Sequence, residues 1–336
     1  MTKVTLGRTE LIVNKNGFGA LPIQRISREE AARLLRKALD NGINFFDTAR
    51  AYTDSEEKIG YALSGRRDQF VLATKTAART AEGFWADLHA SLKNLRTDHV
   101  DILQFHNPDF CPRPGDGTGL YEAMEQARQE GKIRFIGLTN HRLAVAREAL
   151  ESGLYDTLQF PFSYLAAPEE IRLAQDCGRL GVGFISMKAL SGGLITNSAA
   201  AYAFQARFPN VLPIWGIQRD RELDEFLSYQ DNPPALAEEL QAVIDRDCGE
   251  LAGDFCRGCG YCLPCPAGID IPNCARMSLL LRRAPVEGSL SPEWQENMAR
   301  IDQCIHCNHC ASHCPYGLDT PELLRRNYED YKTFLS

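Results

Sequence analysis

The chain has 336 residues, of which 44% are apolar and 24% are charged, and its formal net charge is −7. This length allows either one large domain with an appendage or two domains, and the apolar share is enough for a sizeable core. The negative net charge gives no electrostatic reason to expect nucleic acid or an anionic membrane surface as a partner.

The N-terminal residues 1–13 contain no apolar segment with a small-residue cleavage site, so the sequence predicts no signal peptide. No uncharged apolar run reaches the ~18 residues that a membrane-spanning helix needs. We therefore expect a cytoplasmic protein. In a reducing compartment the twelve cysteines indicate metal binding rather than disulfides, because their thiolates remain available as ligands.

Strand-like apolar runs alternate with amphipathic helical stretches over residues 1–232. The eight strand candidates are residues 17–23, 43–49, 70–75, 100–106, 133–140, 157–161, 181–188 and 211–217. Eight strand–helix units in about 230 residues predict an α/β fold, the (β/α)8 TIM barrel, in preference to a doubly wound sheet. A short hairpin over residues 3–13, with Gly7 at its turn, is expected to close the bottom of the barrel.

The helical stretches carry their own start and stop signals. The stretch 27–42 begins with Ser27, and Glu30 follows three residues later, which is the form of a capping box. Four helical runs are each followed by a glycine, where a left-handed C-cap is favoured. These glycines are Gly42, Gly131, Gly153 and Gly181.

The barrel pattern breaks at residues 229–235, where two prolines stand among polar turn formers. We expect a barrel domain over residues 1–232, a connecting helix over 233–251 and a second domain over 252–336. The second domain is mainly helical between two groups of cysteines. We therefore expect a small helical domain that depends on whatever these cysteines bind.

Two cysteine motifs, each followed by proline, lie in the second domain. The first contains Cys256, Cys259, Cys262 and Cys265, and the second contains Cys304, Cys307, Cys310 and Cys314. The second motif fits the spacing C-x2-C-x2-C-x3-C-P, which wraps an iron–sulfur cubane; the first is one residue shorter before its last cysteine. In such motifs three thiolates bind one cluster, and the fourth reaches the other cluster when two are present.

This crossed pattern predicts two 4Fe-4S clusters. Cys256, Cys259, Cys262 and Cys314 would hold one, and Cys304, Cys307, Cys310 and Cys265 the other. Two zinc sites built from the C-x2-C pairs are the alternative. The helical spacer makes the domain resemble the two-cluster ferredoxin domains of multi-subunit oxidoreductases.

Four further cysteines lie outside the motifs. Cys177 and Cys274 fall in helices and are interpreted as small packed apolar residues. Cys111 lies in a long loop after the fourth strand candidate, and Cys248 precedes the first motif. The sequence assigns no role to these last two.

Polar residues stand at the ends of successive strand candidates, where a TIM barrel builds its active site. They are Asp47 and Tyr52 after the second strand, Lys75 at the end of the third and His106 at the end of the fourth. The stretches "NFFDTARAYTDSEEKIGYAL", "VLATKT" and "ILQFHNPD" resemble those of the aldo/keto reductases, whose catalytic tetrad is Asp, Tyr, Lys and His in this order. The resemblance covers roughly residues 3–230.

These four residue types suit the reduction of a carbonyl group. The carbonyl oxygen needs a proton as hydride reaches the carbon, and a tyrosine with its usual pKa near ~10 is a poor donor at neutral pH. A lysine ammonium beside the phenol lowers this pKa, and Asp47 would keep Lys75 charged and in place. His106 could hydrogen-bond the substrate oxygen. The alternative is a purely structural ion pair between Asp47 and Lys75, with the other two residues packed nearby.

The resemblance also implies a nicotinamide cofactor. By it, Thr139, Asn140 and Gln159 would hold the carboxamide, and the phosphates would lie over the loops after strands 7 and 8. Those loops contain Lys188, Gln218, Arg219 and Arg221.

Two features depart from the family's cofactor pattern. The aromatic residue that usually stacks on the nicotinamide is replaced by Ile185. The Lys-Ser…Arg pattern that usually grips the 2′-phosphate is absent from residues 216–222. NADP(H) and NAD(H) both remain open.

Three functions follow from joining the two domains. In the first and preferred one, the barrel reduces an aldehyde or ketone with NAD(P)H, and the clusters stabilise the second domain or dock a partner. In the second, electrons pass between a ferredoxin-like protein and the barrel through the clusters, with flavin as the converter between hydride and single electrons. In the third, the protein is a redox-sensing regulator, which would not need the complete tetrad.

Overall fold

The computed structural model describes residues 2–251, 255–283 and 286–335. Within these ranges the chain forms two compact units. The first comprises Met1–Ala189 and Ala199–Gln241, and the second comprises Leu190–Ser198 and Ala242–Ser336.

A two-stranded hairpin opens the first unit. Strands β1 (Lys3–Thr5) and β2 (Ile12–Asn14) pair antiparallel, and Gly7 between them has a φ of +52°. Apolar side chains of the hairpin pack against Phe45 and Val71, the first residues of two barrel strands. The hairpin therefore covers the end of the barrel at which strands begin.

Eight parallel strands close into a barrel in the order β10-β3-β4-β5-β6-β7-β8-β9. The strands are β3 (Gly17–Gly19), β4 (Phe45–Asp47), β5 (Val71–Thr76), β6 (Val100–His106), β7 (Ile133–Thr139), β8 (Thr157–Pro161), β9 (Gly183–Met187) and β10 (Val211–Gly216). The predicted (β/α)8 TIM barrel is confirmed. The first strand ends earlier than predicted because Pro22, which has no backbone N–H to pair, begins a 3-10 helix.

Helices follow the barrel strands. They are α1 (Arg28–Asp40), α2 (Ser55–Leu63), α3 (Ala81–Leu95), α4 (Leu120–Gln129), α5 (Leu143–Ser152), α6 (Pro168–Arg179), α7 (Ser198–Ala206) and α8 (Asp220–Asp231). The capping box predicted at Ser27 and Glu30 is present. The four glycines predicted to end helical runs all have positive φ.

Short helices make up most of the described part of the C-terminal region. They are α9 (Glu238–Glu250), α10 (Ile271–Cys274), α11 (Met277–Arg283), α12 (Val286–Ser289), α13 (Pro292–Ala299), α14 (His309–Ser312) and α15 (Thr320–Thr333). Apart from α9, these helices contribute apolar side chains to one core, in which Cys274 is fully buried. Among the described helices, none has both the length and the apolar character needed to cross a bilayer.

The segment 190–198 belongs to the second unit although it follows β9 in the chain. The Arg276 guanidinium donates to the carbonyl oxygen of Gly192 at 2.7 Å, and that of Arg283 donates to the carbonyl oxygen of Leu194 at 3.1 Å. Arg283 also pairs with Asp247 at 3.0 Å. Two arginines of the helical region thus hold this segment by its backbone.

The hairpin turn provides a test of the packing. A Cβ at Gly7 would lie 2.3 Å from the Gly181 oxygen and 2.6 Å from the Gly183 nitrogen. At Gly153, where φ is +69°, a Cβ would meet nothing within 4 Å. Gly153→Ala should lower the free energy of unfolding by about 1–2 kcal/mol, the cost of left-handed backbone alone. Gly7→Ala should cost about 1–3 kcal/mol more, because overpacking is added.

Thermal unfolding followed by circular dichroism compares the two variants. Equal melting temperatures for Gly7→Ala and Gly153→Ala would show that the hairpin turn is not packed against the loop before β9.

Candidate active site and cysteine loops

Neighbouring strands β4, β5 and β6 bring three polar side chains to one end of the barrel. Asp47 is the last residue of β4, Lys75 lies near the end of β5 and His106 ends β6. The Lys75 Nζ atom lies 2.6 Å from Asp47 Oδ2 and donates to the Thr48 carbonyl oxygen, also at 2.6 Å. Both charged side chains are almost fully buried, with 2% and 1% exposure.

Tyr52 completes the group from the loop between β4 and α2. The centroid of its ring lies 5.1 Å from Lys75 Nζ and 5.8 Å from the centroid of the His106 ring. The rings of Tyr52 and His106 meet edge to face. The structure therefore brings all four residues of the predicted tetrad together.

Burial dominates the electrostatics of this group. Burial raises the pKa of Asp47, and the Lys75 charge opposes that rise. Burial likewise lowers the pKa of Lys75, and the Asp47 carboxylate opposes it. Burial, together with the Lys75 charge, lowers the pKa of His106 to about 3. His106 is therefore a neutral imidazole at neutral pH.

Two polar residues beside the tetrad were not identified from the sequence. Gln104 on β6 donates from Nε2 to Asp47 Oδ1 at 3.2 Å. Glu56 on α2 is fully buried and accepts hydrogen bonds from Thr74 at 2.7 Å and Arg50 at 2.6 Å. Gln104 carried a signal, because it is a polar residue inside the otherwise apolar run "ILQF".

The residues predicted to bind the carboxamide lie at the ends of β7 and β8. Thr139 pairs with Gln159 in the register of these strands, and its hydroxyl lies 3.7 Å from the Met187 sulfur. Gln159 Oε1 is buried and accepts no hydrogen bond from the described residues. The Asn140 side chain donates to the Pro108 carbonyl oxygen at 2.7 Å, and it also accepts from the Arg142 amide at 2.8 Å.

Ile185 was predicted to take the position of the stacking aromatic. Ile185 is fully buried and packs in the core beside the hairpin. Side chains two residues apart on a strand point to the same face, so Met187 lies on the same face one layer nearer the strand end. Met187 is partly exposed and contacts Thr139. Met187 is therefore nearer than Ile185 to the predicted carboxamide residue Thr139.

The residues predicted near the phosphates are found in two places. Gln218 and Arg219 lie at the start of α8, where both backbone amides donate to Glu222 Oε2, at 2.9 and 3.1 Å. The Arg219 side chain is largely exposed and lies 3.7 Å from the Glu222 carboxylate. Lys188 follows β9 with a φ of +55°, whereas residues 190–193 of the same loop belong to the second unit.

Cys111 is buried in the long loop after β6. Its sulfur lies 3.9 Å from the Tyr155 hydroxyl oxygen, and burial raises the pKa of the thiol to about 11. Such a thiol stays protonated and unreactive at neutral pH.

The two cysteine motifs lie next to one another. One crevice is lined by four cysteines, namely Cys265, Cys304, Cys307 and Cys310. Burial raises the pKa of the Cys256 thiol, and the neighbouring thiols of Cys259 and Cys314 raise it further. The Cys314 thiol is therefore near that of Cys256, and Cys265 lines a crevice with three cysteines of the second motif.

In residues 2–251, 255–283 and 286–335, no three His, Cys, Asp or Glu side chains are grouped as they would be around a single metal ion.

Comparison with known proteins agrees with both parts of the chain. Residues 15–232 match the aldo/keto reductase family, and residues 255–319 match the 4Fe-4S dicluster domain. L-galactose dehydrogenase from Arabidopsis thaliana is 33% identical over 220 residues, which cover 59% of this chain and 69% of that protein.

Solved structures resemble the barrel as well. An aldo-keto reductase from Bacillus halodurans superposes with a TM-score of 0.64 at 22% identity, covering 74% of this chain and 96% of that one. An aldo-keto reductase from Klebsiella pneumoniae, solved in complex with NADPH, gives a TM-score of 0.63 at 24% identity, covering 73% and 94%. The chain therefore belongs to the aldo/keto reductase family of oxidoreductases, with a 4Fe-4S dicluster domain after its barrel.

Proposed function

We propose that the barrel reduces an aldehyde or ketone with hydride from NAD(P)H and that Tyr52 is the general acid. One observation carries this proposal. The buried Lys75 Nζ atom, held at 2.6 Å by Asp47, lies 5.1 Å from the centre of the Tyr52 ring. A cation in this position favours the phenolate that remains after the phenol has given its proton away.

Asp47 and Thr48 fix the position of that cation. The carboxylate and the Thr48 carbonyl oxygen each accept one Nζ hydrogen, so Lys75 cannot turn away from the phenol. The carboxylate also raises the pKa of Lys75 against the effect of burial. These two acceptors therefore keep the ammonium in place beside Tyr52.

His106 is proposed to orient the substrate oxygen. Because its pKa is lowered to about 3, the ring is neutral and has one N–H to donate. The ring centres of Tyr52 and His106 are 5.8 Å apart, so an oxygen between the rings can accept from both. Two donors aimed at one carbonyl oxygen stabilise the negative charge that develops as hydride arrives.

The strand ends beside the tetrad fit a nicotinamide carboxamide. The buried Gln159 oxygen is left without a donor by the described residues, and a carboxamide N–H2 would supply one. Thr139 and Asn140 would flank it, and Lys188, Gln218 and Arg219 would lie towards the phosphates. When bound, NAD(P)H supplies the hydride. The proposal covers both NADP(H) and NAD(H).

We further propose two 4Fe-4S clusters in a domain formed by residues 252–336, after a barrel of residues 1–232 and a connecting helix of 233–251. Cys256, Cys259, Cys262 and Cys314 would bind one cluster, and Cys265, Cys304, Cys307 and Cys310 would bind the other. The four-thiol crevice supports the second set, and the proximity of Cys314 to Cys256 supports the first.

Electron relay is the second candidate function, and exposure at the cysteine loops favours it. Cys307 is exposed. Leu263 and Ile305, which lie between proposed ligands, are 43% and 64% exposed. A ferredoxin-like protein could dock there, and a flavin would supply the exchange between single electrons and hydride.

Tyr52→Phe tests the general acid. The variant should lose about 10²–10⁴-fold in kcat/KM for a generic aldehyde, the usual contribution of a positioned acid, and should keep its iron. Tyr61→Phe, on α2 beside Arg28, is the matched control and should retain activity. Turnover preserved in Tyr52→Phe would remove this residue from the acid role.

His106 should remain neutral down to its lowered pKa of about 3. Its ring NMR signal, assigned by its loss in His106→Gln, should therefore stay constant between about pH 8 and 6, where an ordinary histidine with a pKa near ~6.5 titrates. A midpoint near that ordinary value would contradict the donor role.

Anaerobic purification with iron, sulfide and flavin analysis tests the clusters. Two 4Fe-4S clusters predict about eight irons per chain, and Cys307→Ser should lose about half of them. Cys248→Ser, outside the motifs, should retain all of them. Unchanged iron in Cys307→Ser would contradict the ligand assignment. Bound flavin would favour the relay, and its absence with aldehyde-dependent NAD(P)H oxidation would favour the simpler reductase.

A further inference from the structure

The Asp47 carboxylate has a different partner for each oxygen. Oδ2 faces Lys75 Nζ at 2.6 Å, and Oδ1 accepts from Gln104 Nε2 at 3.2 Å. Gln104 is fully buried and Asp47 is 2% exposed, so bulk water cannot replace a lost donor. Gln104 lies on β6 two residues before His106 and next to Lys75 in the register of β5 and β6.

The groups that face this carboxylate come from several elements. Lys75 on β5 carries the opposite charge, and the amides of Gln104 on β6 and Gln159 on β8 stabilise the ionised form by hydrogen bonds. Glu56 on α2 acts on Lys75. Burial favours the protonated form of Asp47 and so acts against these stabilising interactions. The loss of one donor therefore moves the carboxylate towards its protonated form.

We infer that Gln104 is a positioning residue, whose amide keeps Asp47 ionised and aimed at Lys75 so that the ammonium stays beside Tyr52. This inference rests on the proposed function. Gln104 itself touches neither the substrate oxygen nor the phenol in this scheme. Its effect passes through Asp47 and Lys75 to the acidity of Tyr52.

This role of Gln104 predicts a change in the pH dependence of alcohol oxidation. In oxidation of the alcohol, NAD(P)+ takes the hydride and the Tyr52 phenolate takes the hydroxyl proton, whereas reduction of the carbonyl needs NAD(P)H and the phenol as acid. If the Asp47 charge is weakened, Lys75 is less firmly charged and placed, and the phenolate becomes harder to form. The pH at which alcohol oxidation switches on then rises.

The experiment compares Gln104→Met, Gln104→Glu and Gln205→Met in the full-length protein with its clusters loaded. Met has nearly the length of Gln but no N–H. Gln205 is a buried glutamine of the same unit that donates to the Phe162 carbonyl oxygen at 2.7 Å, away from Asp47. It controls for the loss of a buried amide hydrogen bond.

Alcohol oxidation measured against pH should separate these variants. In Gln104→Met the rising limb should move up by about one pH unit, with kcat about tenfold lower at neutral pH. In Gln104→Glu, activity relative to the unmodified protein should fall as pH rises, because only a protonated carboxyl can donate to Asp47. Gln205→Met should leave the limb in place. An unmoved limb in Gln104→Met together with a constant ratio in Gln104→Glu would overturn the inference.

A second measurement does not depend on activity. Without its donor, Asp47 binds a proton more readily in the folded state, so the loss of stability is greatest where the carboxylate must be charged. The melting temperature of Gln104→Met should therefore fall furthest below that of the unmodified protein at high pH, and the difference should shrink as the pH is lowered and Asp47 takes up a proton. A deficit independent of pH would overturn the inference. Absence of carbonyl or alcohol turnover in the unmodified protein would instead overturn the proposed function and leave this second test in force.

Discussion

The buried ion pair between Asp47 and Lys75 is the interaction on which the proposed chemistry depends. Removing two charges from water costs several kcal/mol for each ion, and their attraction offsets this cost only when the geometry is good and the remaining donors and acceptors are satisfied. Here the pair is closed at 2.6 Å, and Thr48 and Gln104 serve the remaining sites. This arrangement lowers the stability of the barrel, and it fixes a cation beside the Tyr52 phenol.

Barrel closure explains why such a pair can be held. Asp47, Lys75 and His106 lie at or next to the ends of three adjacent parallel strands, so hydrogen bonds between strands fix their spacing. The hairpin covers the opposite end and packs on the first residues of the strands. The groups proposed to react thus lie at the other end, on rigid elements. Strand pairing does not position the cysteine thiols, because they belong to the loops of two motifs that are far apart in the chain.

Much of this arrangement could be predicted from the sequence because strand ends and motif spacing are local signals. The tetrad residues lay at or just after the ends of three strands, and the two cysteine motifs were recognisable from their spacing. Side-chain depth was not predictable in the same way. Ile185 and Met187 share one face of β9, and only the closed barrel shows that the first faces the hairpin core and the second faces Thr139. Residues 190–198 belong to the second unit, where Arg276 and Arg283 hydrogen-bond to their backbone. These arginines lie some ninety residues further along the chain.

The ionisation of Tyr52 tests the central claim most directly. Tyrosine ring carbon NMR can follow its titration in the unmodified protein and in an Asp47→Asn, Lys75→Met double variant, which leaves no buried charge unpaired. If the ammonium makes the phenol acidic, Tyr52 should ionise at a distinctly lower pH in the unmodified protein than in the double variant. The same midpoint in both proteins would contradict the account.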